Sequence, residues 1–164
     1  MSKISRINSF KTVVDYVQPP FPVLDQKFRR VAKGYGLKRF VPIEECKGVV
    51  TKARSVSFVC LRMVGKVGYR AVLAEMERRG LRPALYEELL AFADTHPNEA
   101  VKSDIVALGS LLDVEYDGDH DDCVAVLKGG ERGLELELDF TWDDWHEGYC
   151  FLAARKNNED RKVA

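Results

Sequence analysis

Two stretches of the chain concentrate residues able to do chemistry. EYDGDHDDCVAV, Glu115 to Val126, packs five carboxylates and a histidine into the eight residues before Cys123. TWDDWHEGY, Thr141 to Tyr149, brings together two tryptophans, three carboxylates, a histidine and a tyrosine. A dense carboxylate loop can hold a divalent cation, and Asp113, Glu115, Asp117 and Gly118 mimic the opening of a calcium loop, glycine in sixth place included. The twelfth place, which must supply a bidentate glutamate, is Val124, and the flanking patterns are strands rather than helices, so an EF-hand is not expected. His120 and Cys123 supply two ligands of zinc type, which His96 or His146 would have to complete through the fold. The simpler reading is a hairpin. Asp117 and Gly118 both tolerate positive φ, they sit between two alternating apolar runs, and the surrounding carboxylates stay in water and guard the edge. No metal and no cofactor is expected.

In the second stretch, rings supply rigid apolar area and carboxylates supply orientation, the combination a recognition surface uses. The competing role for Trp142 and Trp145 is to cap the core. Asp143, Asp144, His146 and Glu147 are also acid/base types, but no third group or oxyanion site accompanies them. Ser110 follows Gly109 without a GxSxG elbow, and GKVGYR has too few glycines for a P-loop and no Ser or Thr after its Gly-Lys pair. No catalytic residue is assigned.

The net charge of -1 conceals an asymmetry. Residues 1–84 carry 18 Lys+Arg against 6 Asp+Glu, net +12, whereas residues 85–164 carry 7 against 20, net -13. A basic half is a reason to test nucleic acid as a partner. Lys27, Arg29, Arg30, Lys33, Lys38 and Arg39 are the residues such a surface would use, and affinity would then fall steeply with salt. Cys46, Cys60, Cys123 and Cys150 form no CxxC pair, so buried thiols are the expectation, with disulfides only in an oxidising compartment. No apolar run reaches the roughly 20 residues of a membrane helix, and MSKISRINSF has no apolar leader core. A cytoplasmic protein with no membrane partner is expected.

The elements that must position these residues follow from periodicity. Phe10, Val13, Val14 and Val17 predict a short amphipathic helix stopped by Pro19-Pro20, and Phe28, Val31, Ala32 and Tyr35 a second, ended by Gly34 and Gly36. Ser55 to Val64 reads as a central strand. Tyr69, Val72, Leu73 and Met76 line one face of a helix that Gly80 ends. Another helix is expected to begin at Pro83, with Leu85, Leu89, Phe92 and Ala93 as its stripe and His96-Pro97 as its stop. SDIVALGS, LLDVEY and DCVAVLKGG read as strands, GLELELDF alternates leucine with carboxylate, and YCFLAARK makes the last strand.

Three segments, "AVLAEMERRGLRPALYEELLAFADTHP", "DIVALGS" and "YCFLAARK", together resemble an uncharacterised family of small bacterial proteins in which these motifs recur in that order, from about Val67 to Lys156. More distantly, the order of helices, strand, hairpins and a tryptophan-bearing last loop is similar to C-type-lectin-like domains, including the formylglycine-enzyme-like type, which place ligand contacts on the loops before the terminal strand. The resemblance implies Asp139, Thr141, Trp142, Asp143, Asp144, Trp145 and His146 as binding positions. The paired structural cysteines and the Glu-Pro-Asn type triplet of that group are missing.

The expected fold is α+β: a twisted, mainly antiparallel sheet with two packed helices, C-type-lectin-like, behind a helical amino-terminal segment. Residues 1–39 form that basic segment, 40–156 the core domain and 157–164 a tail. The expected function is non-enzymatic recognition of a protein or other macromolecule through the Trp-rich acidic loop. The alternatives are nucleic-acid binding by the basic segment and a metal-dependent hydrolase using Asp117 to Asp122.

Overall fold

The computed structural model describes residues 4–16, 40–49, 54–130 and 133–156. Strand residues outnumber helical ones more than two to one. One large mixed sheet runs in the order β1-β3-β10-β6-β7-β8, built from β1 (Ile4–Val14), β3 (Arg54–Met63), β10 (Tyr149–Arg155), β6 (Asp104–Tyr116), β7 (Asp119–Gly130) and β8 (Gly133–Phe140). β10 and β6 are parallel; the other neighbours in this series are antiparallel. Two short strands join it, β2 (Val41–Pro42) on β6 and β5 (Leu81–Pro83) on β10. β4 (Val67–Gly68) and β9 (Asp144–Trp145) form a separate two-stranded ribbon. Three helices, α1 (Tyr69–Arg78), α2 (Tyr86–Thr95) and α3 (Pro97–Ala100), complete the described elements with a 3-10 turn at Glu44–Cys46.

This architecture corrects the expected fold. The expected α+β fold, an antiparallel sheet behind a helical amino-terminal segment, gives way to one large mixed sheet, made mixed by the parallel β10–β6 pair and covered by short helices, with residues 4–14 a strand of it. The predicted helix at Phe10 to Val17 is strand β1 as far as Val14, paired with β3 from Ile4 to Val14. Phe10, Val13 and Val14 satisfy a helical period, but the set that packs inward is Phe10, Thr12 and Val14, whereas Val13 is 69% exposed. Three consecutive β-branched residues, Thr12 to Val14, pack better on a pleated surface than on a helix. Residues 4–14 are thus part of the sheet. The second predicted helix, Phe28 to Tyr35, and the tail 157–164 lie outside the described residues.

The sheet is apolar on both faces. α2 and α3 cover one face, where Phe58, Leu89, Phe92, Ile105, Leu127 and Leu152 are among the buried side chains. α1 and the β4–β9 ribbon cover the other, over Leu61, Met76, Val106, Val126, Trp145 and Phe151. Double coverage explains why β10 reads CFLAA and β7 CVAVL, runs without alternation and buried throughout. α1 matches its predicted stripe, with Val72 and Met76 buried and Gly80 at φ +69 after its end.

α2 begins at Tyr86, not Pro83, because Pro83 belongs to β5 opposite Ala153. The junction between them is held by buried polar groups. Arg82 and Glu88, 2% and 0% exposed, form a two-pronged ion pair at 2.7 and 2.8 Å. Glu88 also accepts from the Leu85 N–H and the Tyr16 hydroxyl. Ser110, two residues before the Leu112–Cys123 register, accepts from the Tyr86 N–H at 2.9 Å, so a residue of β6 supplies the helix cap that Leu85 cannot. Gly109 makes that approach possible: a Cβ there would lie 2.5 Å from the Ala84 carbonyl oxygen, to which its own N–H donates.

Cys60 on β3 and Cys150 on β10 form a disulfide across 90 residues, a correction to the expectation of buried thiols at all four positions. Antiparallel pairing of two strands far apart in sequence brings their Cα atoms to 5.7 Å, a juxtaposition that sequence spacing does not announce. Cys46 and Cys123 are buried thiols.

Candidate functional site

The acidic stretch is the hairpin joining β6 to β7. Tyr116 pairs with Asp119 across a two-residue turn in which Asp117 and Gly118 have φ of 50° and 82°. Both being positive selects the turn whose twist matches the flanking strands. Asp113 and His120 are held together at 2.9 Å on the exposed hairpin surface. His96 lies elsewhere, against Phe10, Phe92 and the hydroxyl of Thr12, and His146 packs on Tyr149. Among the described residues no group of three or more His, Cys, Asp or Glu is disposed to hold a metal ion.

The Trp-rich loop follows β8. Phe140, half-buried at the margin of the α2 face, ends the strand; Thr141 N–H donates to the Asp122 carbonyl, and Asp143 N–H to the Phe140 carbonyl, closing the turn. Asp144 and Trp145 then pair with Gly68 and Val67 as β9. This pairing ties the loop to the start of α1.

The two tryptophans go opposite ways. Trp145 is 2% exposed, meets Phe151 edge-on with centroids 5.5 Å apart, and donates its indole N–H to Asp139 at 2.9 Å. It is a core residue, and Asp139 is the acceptor that makes its burial affordable. Trp142 is 66% exposed and lies flat on Phe140, centroids 5.0 Å apart and planes 17° from parallel. Of the residues singled out in the loop, Thr141 and Trp142 line a cleft of about 450 Å³ with Gly68, Tyr69, Arg70, Ala71, Leu111 and Asp122. Asp143, Asp144 and His146 are exposed on the loop, and His146 lies against the Glu147 carbonyl and the Tyr149 ring.

Sequence reasoning missed the other wall of this cleft. Arg70 is exposed with its guanidinium 5.5 Å from the centre of the Tyr69 ring, and among the described residues it makes no ion pair. Asp122 is likewise exposed and in no ion pair among the described residues. The cleft thus offers a cation, an anion, a hydroxyl and an indole face. Burial pushes the Tyr69 phenol up to about 12, against the opposing pull of Arg70, so it stays a neutral donor at ordinary pH. The β4–β9 pairing connects residues 67–71 to the loop, and two strands of two residues leave no usable sequence signal.

A second, more enclosed cavity of about 280 Å³ lies beside α1, between Arg70, Leu73, Glu77, Arg82 and Lys156. Its charges are largely committed, Glu77 to Lys156 at 2.5 Å and Arg82 to Glu88. Lys27, Arg29, Arg30, Lys33, Lys38 and Arg39 lie outside the described residues. No helix among the described residues is long and apolar enough to cross a membrane. No protein-family model matches the chain, nor does any curated protein or solved structure.

Proposed function

We propose that this protein is a non-enzymatic recognition module that binds a protein partner through the cleft between the β8–β9 loop and the start of α1. The observation that carries the reading is Trp142: a large ring left 66% exposed, yet held in one orientation by its stack on Phe140. An aromatic side chain ordered before binding loses little entropy when a partner covers it, which is why such residues dominate interface energetics. Arg70 and Asp122, of opposite charge and set in the same cleft, give a partner its orientation.

The test is capture from cell lysate by wild-type protein and by Trp142→Ala, each with and without nuclease. A nuclease-resistant partner retained by wild type and weakened at least about 30-fold by the substitution is expected, the equivalent of about 2 kcal/mol for an aromatic anchor. Capture of the same partner by both proteins removes the reading. Nuclease-sensitive capture by both transfers the activity to a basic surface.

A further inference from the structure

Phe140 covers only one face of the Trp142 indole, in a stack 17° from parallel, and the ring stays 66% exposed. The uncovered face of such a ring carries the negative lobe of its quadrupole and attracts a cation, tryptophan most strongly of the aromatic side chains. What else lies on that side of the cleft decides whether a cation is the right occupant.

The charged residues on the loop side are carboxylates. Asp122 is tied to the loop through the backbone, its carbonyl accepting from the Thr141 N–H, and it lines the cleft together with Thr141 and Trp142. Asp143 and Asp144 follow Trp142 directly and are exposed. Asp139 is committed to the Trp145 indole, whereas the carboxylates of Asp122, Asp143 and Asp144 hold no hydrogen bond or ion pair among the described residues. Arg70 is the one cation among the residues that line the cleft. It belongs to the α1 side, with its guanidinium 5.5 Å from the centre of the Tyr69 ring. An acidic side chain laid on Trp142 would therefore meet the repulsive face of the ring and three uncompensated carboxylates; a cation there meets the same groups as partners.

We propose that the cleft receives an arginine side chain of the partner protein, its guanidinium laid flat on the open face of Trp142 and its N–H groups donated to Asp122 and Asp143. A planar guanidinium does both at once, because it stacks through its face and donates through its edge; the compact, strongly hydrated ammonium of lysine has no such plane. Arg70, of like charge, confines the guanidinium to the loop side of the cleft. The inference rests on the recognition reading and names the side chain that reading leaves open.

The probe is N-acetyl-arginine amide, titrated into the full-length nitrogen-15-labelled protein at constant ionic strength. The readout is the pair of indole N–H resonances in a heteronuclear NMR spectrum, assigned with Trp142→Phe. Trp145 is an internal control, because its N–H is buried on Asp139. A saturable shift of the Trp142 resonance is expected, with a midpoint on the order of millimolar for a single side chain, while the Trp145 resonance stays in place. The citrulline analogue, which keeps the shape and loses the charge, should bind about tenfold more weakly, and the lysine analogue about threefold. Asp122→Asn, at an exposed carboxylate, should weaken the arginine response about threefold with the melting temperature unchanged, and Asp143→Asn is the parallel variant. Equal responses to arginine and citrulline would show stacking without charge and overturn the proposal. A response equal for lysine, unchanged in both asparagine variants, or absent up to roughly fifty times the expected midpoint overturns it as well. So does a preference for N-acetyl-aspartate amide, which would make Arg70 the group that reads the partner. The titration needs no partner. An absent arginine response beside Trp142-dependent capture therefore removes the arginine and keeps the recognition reading, whereas capture that ignores Trp142 removes that reading whatever the titration shows.

Discussion

Trp142 and Trp145 sit three residues apart in one loop and are used in opposite ways. Trp145 faces inward because β9 pairs with β4, which carries its ring over Phe151 and its N–H to Asp139. Trp142 precedes that pairing, in a turn, and keeps only the Phe140 ring beneath it. The same contrast separates two larger regions. At the β5–α2 junction Arg82, Glu88 and Ser110 are buried and hydrogen-bonded to one another or to the backbone. Around the β8–β9 loop Arg70, Asp122 and Asp143 remain in water. The first region uses its polar groups to fix the fold; the second keeps them accessible, so substitutions in the two regions should separate stability from binding.

The largest effect is expected at Glu88. Glu88→Ala strips Arg82, the Leu85 N–H and the Tyr16 hydroxyl of a shared acceptor and takes the two-pronged carboxylate away from a buried guanidinium. A loss of about 3–5 kcal/mol is expected in urea unfolding. A loss below about 1 kcal/mol would show that water enters the junction and that the two regions differ less than their burial implies.

The tryptophans give the next test. Trp145→Phe keeps most of the apolar ring but leaves Asp139 without its indole donor, for an expected loss of about 1–3 kcal/mol. Trp142→Phe, at an exposed site, should change stability by no more than about 0.5 kcal/mol. Equal losses from both would dissolve the comparison.

Much of this arrangement was legible in the sequence, for a reason that also marks where it stopped. α1, the Asp117-Gly118 turn and the alternation of β8 depend on local spacing, and each lies where it was expected. Non-local pairing decided the remainder. Val13 and Val14 fit a helix until β3 fixes β1 as a strand, and Pro83 resembles a helix start until β10 claims it. The burial of Glu88 leaves no mark in the local sequence, because the Arg82 that pairs with it comes from another element. The same limit divided the candidate site: Thr141 and Trp142 were visible as loop residues, whereas Arg70 and Asp122 join them only through the sheet.

The smallest effect sharpens the boundary between the regions, because Cys123 lies on it. Its side chain is buried with the α2-side core, while Asp121, Asp122, Asp139 and Asp113 surround it with negative charge. Burial first, and those carboxylates second, push the thiol up to about 12 from its ordinary value of 9.0. A folded-state value above the unfolded one means that the unfolded chain ionises first. The contribution is therefore complete below about pH 9 and is lost progressively as pH rises toward 12. Tyr69, with a folded value also near 12, begins its own loss only above about pH 10. Between pH 9 and 10 the decline in stability should thus include a share from Cys123 that Cys123→Ala removes, as urea midpoints of the two proteins across that interval would show. Iodoacetamide at pH 8 should leave Cys123 unlabelled in the native protein and modify it in urea. Rapid native labelling would mean that the β7–β8 edge opens readily, and that the boundary between the closed region and the accessible one runs inside the Cys123–Phe140 pair.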